Sequence, residues 1–136
     1  MPPNLILSNA AVNAEARALG QLLAGGYLRI YDGPKPANPE KSPGSSRLLA
    51  ELRFELSVPE PLEGVLVFQK LQPESEAKAS GRAKWFRCLQ ADGQTALLDG
   101  SVGTADADLI LEQDQINIRA GAEVSIAPLI HGIPKL

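Results

Sequence analysis

The sequence predicts a mainly β fold: an antiparallel β-sandwich, jelly-roll-like, of about eight short strands with one N-terminal α-helix. Three observations lead to this prediction. Short β-prone runs recur at near-regular intervals, and only one segment shows helical periodicity. The 12 Gly and 11 Pro divide the 136 residues into short elements. The length is that of one domain, so residues 1–136 are taken as a single domain.

The predicted helix spans Ala10–Leu23. Ser8 or Asn9 can cap its start, and alanine, the best helix former, is frequent within it. Its apolar residues follow helical spacing along one face. Gly25 and Gly26 end it, because glycine readily adopts the left-handed conformation that closes helices.

The strands are predicted from alternation and from flanking Gly, Pro, Asn and Asp residues. The clearest strand pattern, at Arg47–Leu56, places five apolar side chains on one face and charged residues on the other. The charged face would contact either solvent or a partner. The eight predicted strands are Tyr27–Tyr31, Arg47–Leu56, Gly64–Lys70, Ala83–Gln90, Thr95–Val102, Asp108–Leu111, Ile116–Ile118 and Glu123–Ile126.

Two of these strands form a predicted central hairpin, because Asp92-Gly93 between β-prone runs is a strong turn signal. Asp99-Gly100 predicts a second turn. Within an apolar pattern, the only cysteine is interpreted as a buried thiol rather than a reactive one. The residues predicted to form the core scaffold are Leu52, Phe54, Trp85, Phe86 and Cys88.

The segment Pro34–Ser46 holds four Pro and three Ser and hardly any large apolar residue, which predicts an extended loop or arm. Such a stiff segment suits docking on a partner, although a plain surface loop explains it too. Leu129–Leu136 is predicted to be a peripheral tail. The candidate partner-binding residues from both segments are Pro34, Lys35, Pro36, Pro39, Lys41, Pro43, Leu129, Ile130 and His131.

The composition argues against an enzyme, and no catalytic, cofactor-binding or metal-binding residues are predicted. One His and one Cys cannot build a zinc site, and His131 lies in a Gly/Pro-bounded tail that is poorly suited to hold a catalytic geometry. Acidic residues are frequent in the second half of the chain, and two interpretations of them remain open: solvated carboxylates in turns, or a cation site.

The net charge of −3 and scattered basic residues predict no nucleic-acid partner. We expect neither a secretory signal nor a membrane span, and we therefore expect the protein to be made in the cytoplasm.

Several segments, in order along the chain, resemble a family of small proteins from the structural-gene regions of tailed phages and prophages. The matching segments are Leu5–Ala14, Leu28–Gly33, Trp85–Arg87, Asp99–Gly103 and Ala107–Leu109. The resemblance implies a head decoration (cement) protein with a jelly-roll fold. Such a protein would be made in the host cytoplasm and would sit on the capsid exterior. Its implied partners are the major capsid protein and copies of itself, as a dimer or other small oligomer.

The sequence departs from that likeness at Pro59–Pro61, at Glu74–Lys78 and at its end, Pro134–Leu136. The residues that would contact a capsid therefore cannot be assigned from the resemblance. Two alternatives stay open: a tail or baseplate accessory protein, and a carbohydrate-binding β-sandwich module that would need an exposed aromatic side chain.

Overall fold

The computed structural model describes residues 5–68, 71–126 and 129–132, the last range by its backbone alone. The prediction of a mainly β protein with one N-terminal helix is confirmed. Within the described ranges the chain forms one helix and nine strands. These are α1 Asn9–Leu23, β1 Tyr27–Tyr31, β2 Leu48–Arg53, β3 Val65–Phe68, β4 Gly81–Arg82, β5 Trp85–Leu89, β6 Ala96–Gly103, β7 Leu109–Ile110, β8 Asn117–Ile118 and β9 Leu129–Gly132.

The largest sheet has five strands in the order β2-β1-β5-β6-β7, and two smaller sheets pair β3 with β9 and β4 with β8. Most neighbouring strands are antiparallel, but β6 and β7 run parallel, so the five-stranded sheet is mixed. No helix in the described part of the chain is long and apolar enough to cross a membrane.

Helix α1 begins where Ser8 accepts a hydrogen bond at Oγ from the backbone N–H of Ala11 (3.1 Å). Its buried residues share one face, which packs beside β3. Gly20 lies on that face, where a Cβ would come within 2.6 Å of Val58 Cγ1. The absence of a side chain at Gly20 therefore allows Val58, in the connection between β2 and β3, to pack closely against the helix.

The five-stranded sheet has two different faces because side chains alternate along each strand. Its inner face is apolar and joins the core with residues of α1 and β3. A T-shaped contact between the rings of Phe54 and Phe68 (4.9 Å between centroids) links this core to the β3–β9 pair. The core-scaffold residues of the sequence analysis are all buried: Leu52, Phe54, Trp85, Phe86 and Cys88.

The prediction of a turn at Asp99-Gly100 is wrong, because both residues lie in the middle of β6. Gly100 pairs with Phe86 of β5, and a Cβ at Gly100 would lie 2.5 Å from two atoms of the Phe86 ring. Asp99 pairs with Arg87. Each residue of this Asp-Gly pair thus has a packing or charge role inside a strand. The turn at Asp92-Gly93 does form, with Gly93 at φ +69°.

The parallel pair β6–β7 is joined by only five residues, 104–108, because the loop turns back along β6. Asp108 Oδ2 accepts from the backbone N–H of Ser101 (2.9 Å), and the Asp108 N–H donates to Ser101 Oγ (3.1 Å). Two reciprocal bonds thus fix the return of the chain. This geometry brings Leu109 beside Val102 without a helical crossover.

The end of the chain also differs from expectation. Glu123–Ile126 was expected to be a strand, but Val124 makes only a single bridge, to Glu74. Of the predicted peripheral tail Leu129–Leu136, Leu129–Gly132 forms β9, paired antiparallel with Val65–Phe68, and residues 133–136 lie outside the described part of the chain. Alternation over so few residues does not distinguish a strand from a loop, and a partner strand decides between them.

We expect Gly100→Ala to lower the free energy of unfolding by about 1–3 kcal/mol, because the added methyl group overlaps the Phe86 ring. Urea unfolding followed by circular dichroism measures the change. In a Phe86→Leu background the same substitution should cost clearly less, since the atoms it overlaps are gone. An equal cost in both backgrounds would contradict the overlap.

Candidate functional site

The connection between β1 and β2 is a closed loop, residues 33–46, whose two ends are tied together. The Asp32 N–H donates to the Arg47 carbonyl (3.1 Å), and the Arg47 N–H donates to Asp32 Oδ1 (2.6 Å). Trp85 Nε1 of β5 donates to the Asp32 carbonyl (3.1 Å) and to Ser46 Oγ (3.2 Å). One indole N–H therefore holds both ends of the loop, which we call the pinned loop.

The pinned loop is also braced internally. Ser46 Oγ donates to the Pro34 carbonyl (3.1 Å), and Asn38 Oδ1 accepts from the Glu40 N–H (3.1 Å). Gly33 at φ +73° turns the chain where a Cβ would lie 2.8 Å from Ser46 Oγ. The segment predicted as an extended loop or arm is a loop of the Ω type, whose two ends lie together.

The base of the pinned loop is a stacked aromatic pair on the outer face of the sheet. The rings of Tyr31 and Trp85 lie 4.4 Å apart and nearly parallel, at 13°. Trp85 is fully buried and Tyr31 is 6% exposed. This pair fixes the indole whose N–H holds the loop, so the position of the loop depends on the packing of the sheet.

Next to the aromatic pair, four charged side chains form a straight row across the sheet: Glu51 of β2, Arg29 of β1, Arg87 of β5 and Asp99 of β6. The strand register sets them directly opposite one another. Arg29 Nε donates to Glu51 Oε2 (2.7 Å). Arg87 donates from Nε to Asp99 Oδ1 (2.7 Å) and from Nη2 to Asp99 Oδ2 (3.0 Å). The order acid, base, base, acid gives each arginine one carboxylate. We call this set the charge row.

The ion pair at the β5–β6 end of the charge row is buried: the side chains of Arg87 and Asp99 are 7% and 3% exposed. The hydrogen bonds that Arg87 donates to Asp99 raise the pKa of Arg87 above its ordinary value, against the opposing effect of desolvation. The Arg87 guanidinium also lies 5.3 Å from the centre of the Trp85 ring. Arg87 thus joins the ion pair to the aromatic base of the pinned loop.

A cleft of about 560 Å³ opens above the charge row. Its floor includes Arg29 and Arg87, one wall is the tip of the pinned loop at residues 39–43, and the other is the hairpin turn at residues 93–96. Both arginines and Lys41 line it, together with one acidic residue, Glu40. We call this space the loop cleft, and with the pinned loop it is the candidate site.

The sequence analysis placed six of its candidate partner-binding residues in the pinned loop. Pro34, Lys35 and Lys41 are exposed there, whereas Pro36, Pro39 and Pro43 are half-buried. The other three lie elsewhere, in strand β9: Leu129, Ile130 and His131. Their side chains are outside the described part of the structure.

Three acidic residues from the second half of the chain each bind a different partner instead of forming one cluster. Asp92 caps the hairpin turn, Asp99 pairs with Arg87, and Asp108 binds Ser101. Among the described residues, no three His, Cys, Asp or Glu side chains are grouped so that they could hold a metal ion. Cys88 is buried, and burial raises the pKa of its thiol.

Sequence reasoning missed the charge row and the atoms that hold the loop. The sequence pattern predicts a turn at Asp99 rather than a charge partner. One signal was present: Arg87 interrupts an otherwise apolar five-residue strand, and a charge in such a run requires a partner. The identity of that partner follows only from the register of β5 and β6.

Comparisons of the chain with protein-family models, curated proteins and solved structures gave no match.

We expect Asp99→Ala to lower the free energy of unfolding by about 3–5 kcal/mol, because it leaves Arg87 buried without its carboxylate and directly opposite Arg29. The double variant Arg87→Met, Asp99→Leu should recover most of this loss, since it removes both charges. Urea unfolding gives both values. As a control, Arg17→Ala breaks the exposed Arg17–Glu60 pair and should cost less than about 1 kcal/mol. Similar costs for Asp99→Ala and Arg17→Ala would contradict the role of burial.

The carboxylate of Asp92 should titrate below the ordinary range of aspartate. The hydroxyl of Thr95 donates to it, as do the backbone N–H groups of Thr95 and Gln94, and these bonds lower its pKa. A lowered pKa means that the turn keeps this stabilisation above the ordinary pKa and loses it as the pH falls through the lowered one. Thr95→Val should raise the pKa of Asp92 in a ¹³C NMR titration, whereas Thr104→Val should not. No upward shift in Thr95→Val would count against the hydroxyl as the main cause.

Proposed function

We propose that this protein is a non-enzymatic structural protein of a phage virion, a head decoration protein that binds the outside of the capsid lattice through protein–protein contacts. Its partners would be the major capsid protein and further copies of itself. The proposal starts from the resemblance of the sequence segments to phage structural-region proteins. The observation that supports it best is the pinned loop, which presents a stiff contact surface on a β-rich body.

The stiffness of the loop is the physical argument for a binding role. Binding orders flexible segments at a cost in conformational entropy, and a segment that is already ordered avoids that cost. The bonds from Trp85 Nε1 and between Asp32 and Arg47 order the loop before any partner arrives. Its exposed positions, among them Pro34, Lys35 and Lys41, then form a preorganised surface. On a lattice, many modest contacts of this kind add up through avidity.

A protein partner fits the aromatic residues better than a sugar does. Stacking on a sugar ring needs an exposed aromatic face, but Trp85 and Tyr31 are buried. The remaining tyrosine, Tyr27, is half-buried, with the guanidinium groups of Arg29 and Arg53 at 5.7 and 5.0 Å from its ring centre. The carbohydrate-binding alternative has no comparable support.

We also propose that the strands form the architecture predicted from the sequence, an antiparallel sandwich of jelly-roll type. Its support is the common core, in which Leu28 and Leu52 of the five-stranded sheet share one cluster with Leu66 and Phe68 of β3. The parallel strand β7 is a departure from that pattern at one edge of the sheet.

The direct test is binding of the purified protein to undecorated capsids of the phage whose structural genes accompany it. We expect sedimentation with the capsids and greater resistance of the capsids to heat. Trp85→Phe should weaken binding by about tenfold, because it keeps a buried ring but removes the indole N–H that Asp32 and Ser46 share, a loss of about 1–1.5 kcal/mol.

Charge reversal on the loop supplies the matched comparison. Lys35→Glu should weaken capsid binding, whereas Lys84→Glu, also exposed but outside the loop, should not. Capsids of equal heat stability with and without the protein, and no cosedimentation, would overturn the proposal.

A further inference from the structure

We propose that the loop cleft is a carboxylate-binding site that receives an acidic side chain, glutamate or aspartate, from an exposed segment of the partner protein. This inference rests on the proposed function for its choice of a protein as the source of the carboxylate. The site itself follows from the arginine atoms that the cleft exposes.

The charge row leaves part of each guanidinium unused. Arg29 donates to Glu51 from Nε, and Arg87 donates to Asp99 from Nε and Nη2. No other hydrogen bond engages Nη1 and Nη2 of Arg29, or Nη1 of Arg87, among the described residues. None of the buried side-chain nitrogen and oxygen atoms there lacks a partner. Each of the three unused nitrogens therefore keeps some contact with solvent, more at Arg29, whose side chain is 24% exposed, than at Arg87, whose side chain is 7% exposed. Both arginines line the loop cleft.

The positions of the two arginines favour an anion between them. Arg29 and Arg87 are directly opposite each other on neighbouring strands, and like charges so placed repel. Their carboxylate partners, Glu51 and Asp99, stand on the outer strands of the row, so neither lies between them. An incoming carboxylate would reduce this repulsion and accept charge-assisted hydrogen bonds, which guanidinium groups form well with carboxylates.

The walls of the loop cleft give the site its shape and part of its charge. Lys41 adds a third cation from the pinned loop, while Gln94 and Thr95 add polar groups from the hairpin turn. Glu40 stands on the same wall and opposes an incoming anion. Lys41 and Glu40 thus have opposite effects on the affinity of the site for an anion, and substitution of each tests the site separately.

Binding is tested with an N-acetylated, C-amidated hexaglutamate peptide, with hexaglutamine as the uncharged probe. We expect hexaglutamate alone to shift the Arg29 and Arg87 Nε–H signals in ¹H–¹⁵N NMR spectra and to change the fluorescence of Trp85, the only tryptophan, which lies beside Arg87. Affinity should fall as salt is added. Equal shifts with hexaglutamine, or tighter binding of inorganic phosphate than of the peptide, would overturn the assignment.

Four variants examine the geometry. Arg29→Gln should weaken hexaglutamate binding by about tenfold, and Lys41→Gln by a smaller factor. Glu40→Gln should strengthen it, an outcome that a merely structural role for Glu40 does not give. Arg53→Gln is the matched control, since Arg53 is an exposed arginine on the same sheet face that does not line the cleft. An effect of Arg53→Gln as large as that of Arg29→Gln would reduce the site to general surface charge.

The same variants separate this inference from the proposed function. If capsid binding occurs and is unchanged in Arg29→Gln and Glu40→Gln, the carboxylate site is wrong and the decoration function stands. If hexaglutamate binds in the loop cleft but the protein does not bind undecorated capsids, the carboxylate site stands and the decoration function is wrong.

Discussion

The buried pair of Arg87 and Asp99 is the interaction on which the outer face of the sheet depends. Two charges with side chains less than a tenth exposed are stable only if each meets the other with good geometry, and this pair has two short hydrogen bonds. The pair requires β5 and β6 to lie in one register. That register in turn sets Gly100 against the Phe86 ring on the opposite face. Charge on one face and packing on the other thus enforce the same alignment.

The charge row and the pinned loop belong to one arrangement. Arg87 lies beside the Trp85 ring, Trp85 stacks on Tyr31, and the indole N–H holds both ends of the loop. The loop therefore takes part of its shape from a residue of the sheet and part from its own internal hydrogen bonds. The proposed binding function depends on this link, since the contact surface and the floor of the loop cleft rest on the same residues.

Much of the candidate site was accessible from the sequence, but not its geometry. The Pro-rich composition of residues 34–46 indicated a distinct loop, and the apolar setting of Trp85 indicated burial. Neither observation shows that the loop closes on itself, because its closure depends on atoms of Asp32, Ser46 and Trp85, up to 53 residues apart in the chain. The prediction of a turn at Asp99-Gly100 was wrong for a related reason. Local turn propensity describes a dipeptide in isolation, and a long-range charge partner overrode it.

By itself, the sequence determined the class of the fold, the helix with its end at Leu23 and the boundaries of β1. It also determined the hairpin turn at Asp92-Gly93 and the identity of the central core residues. These features follow from periodicity, capping and backbone freedom, which act over a few residues. The tertiary structure decided the parallel placement of β7, the pairing of β9 with β3, the charge row and the loop cleft. These features arise from contacts between residues distant in the chain, and only the folded arrangement of the strands specifies which distant groups meet.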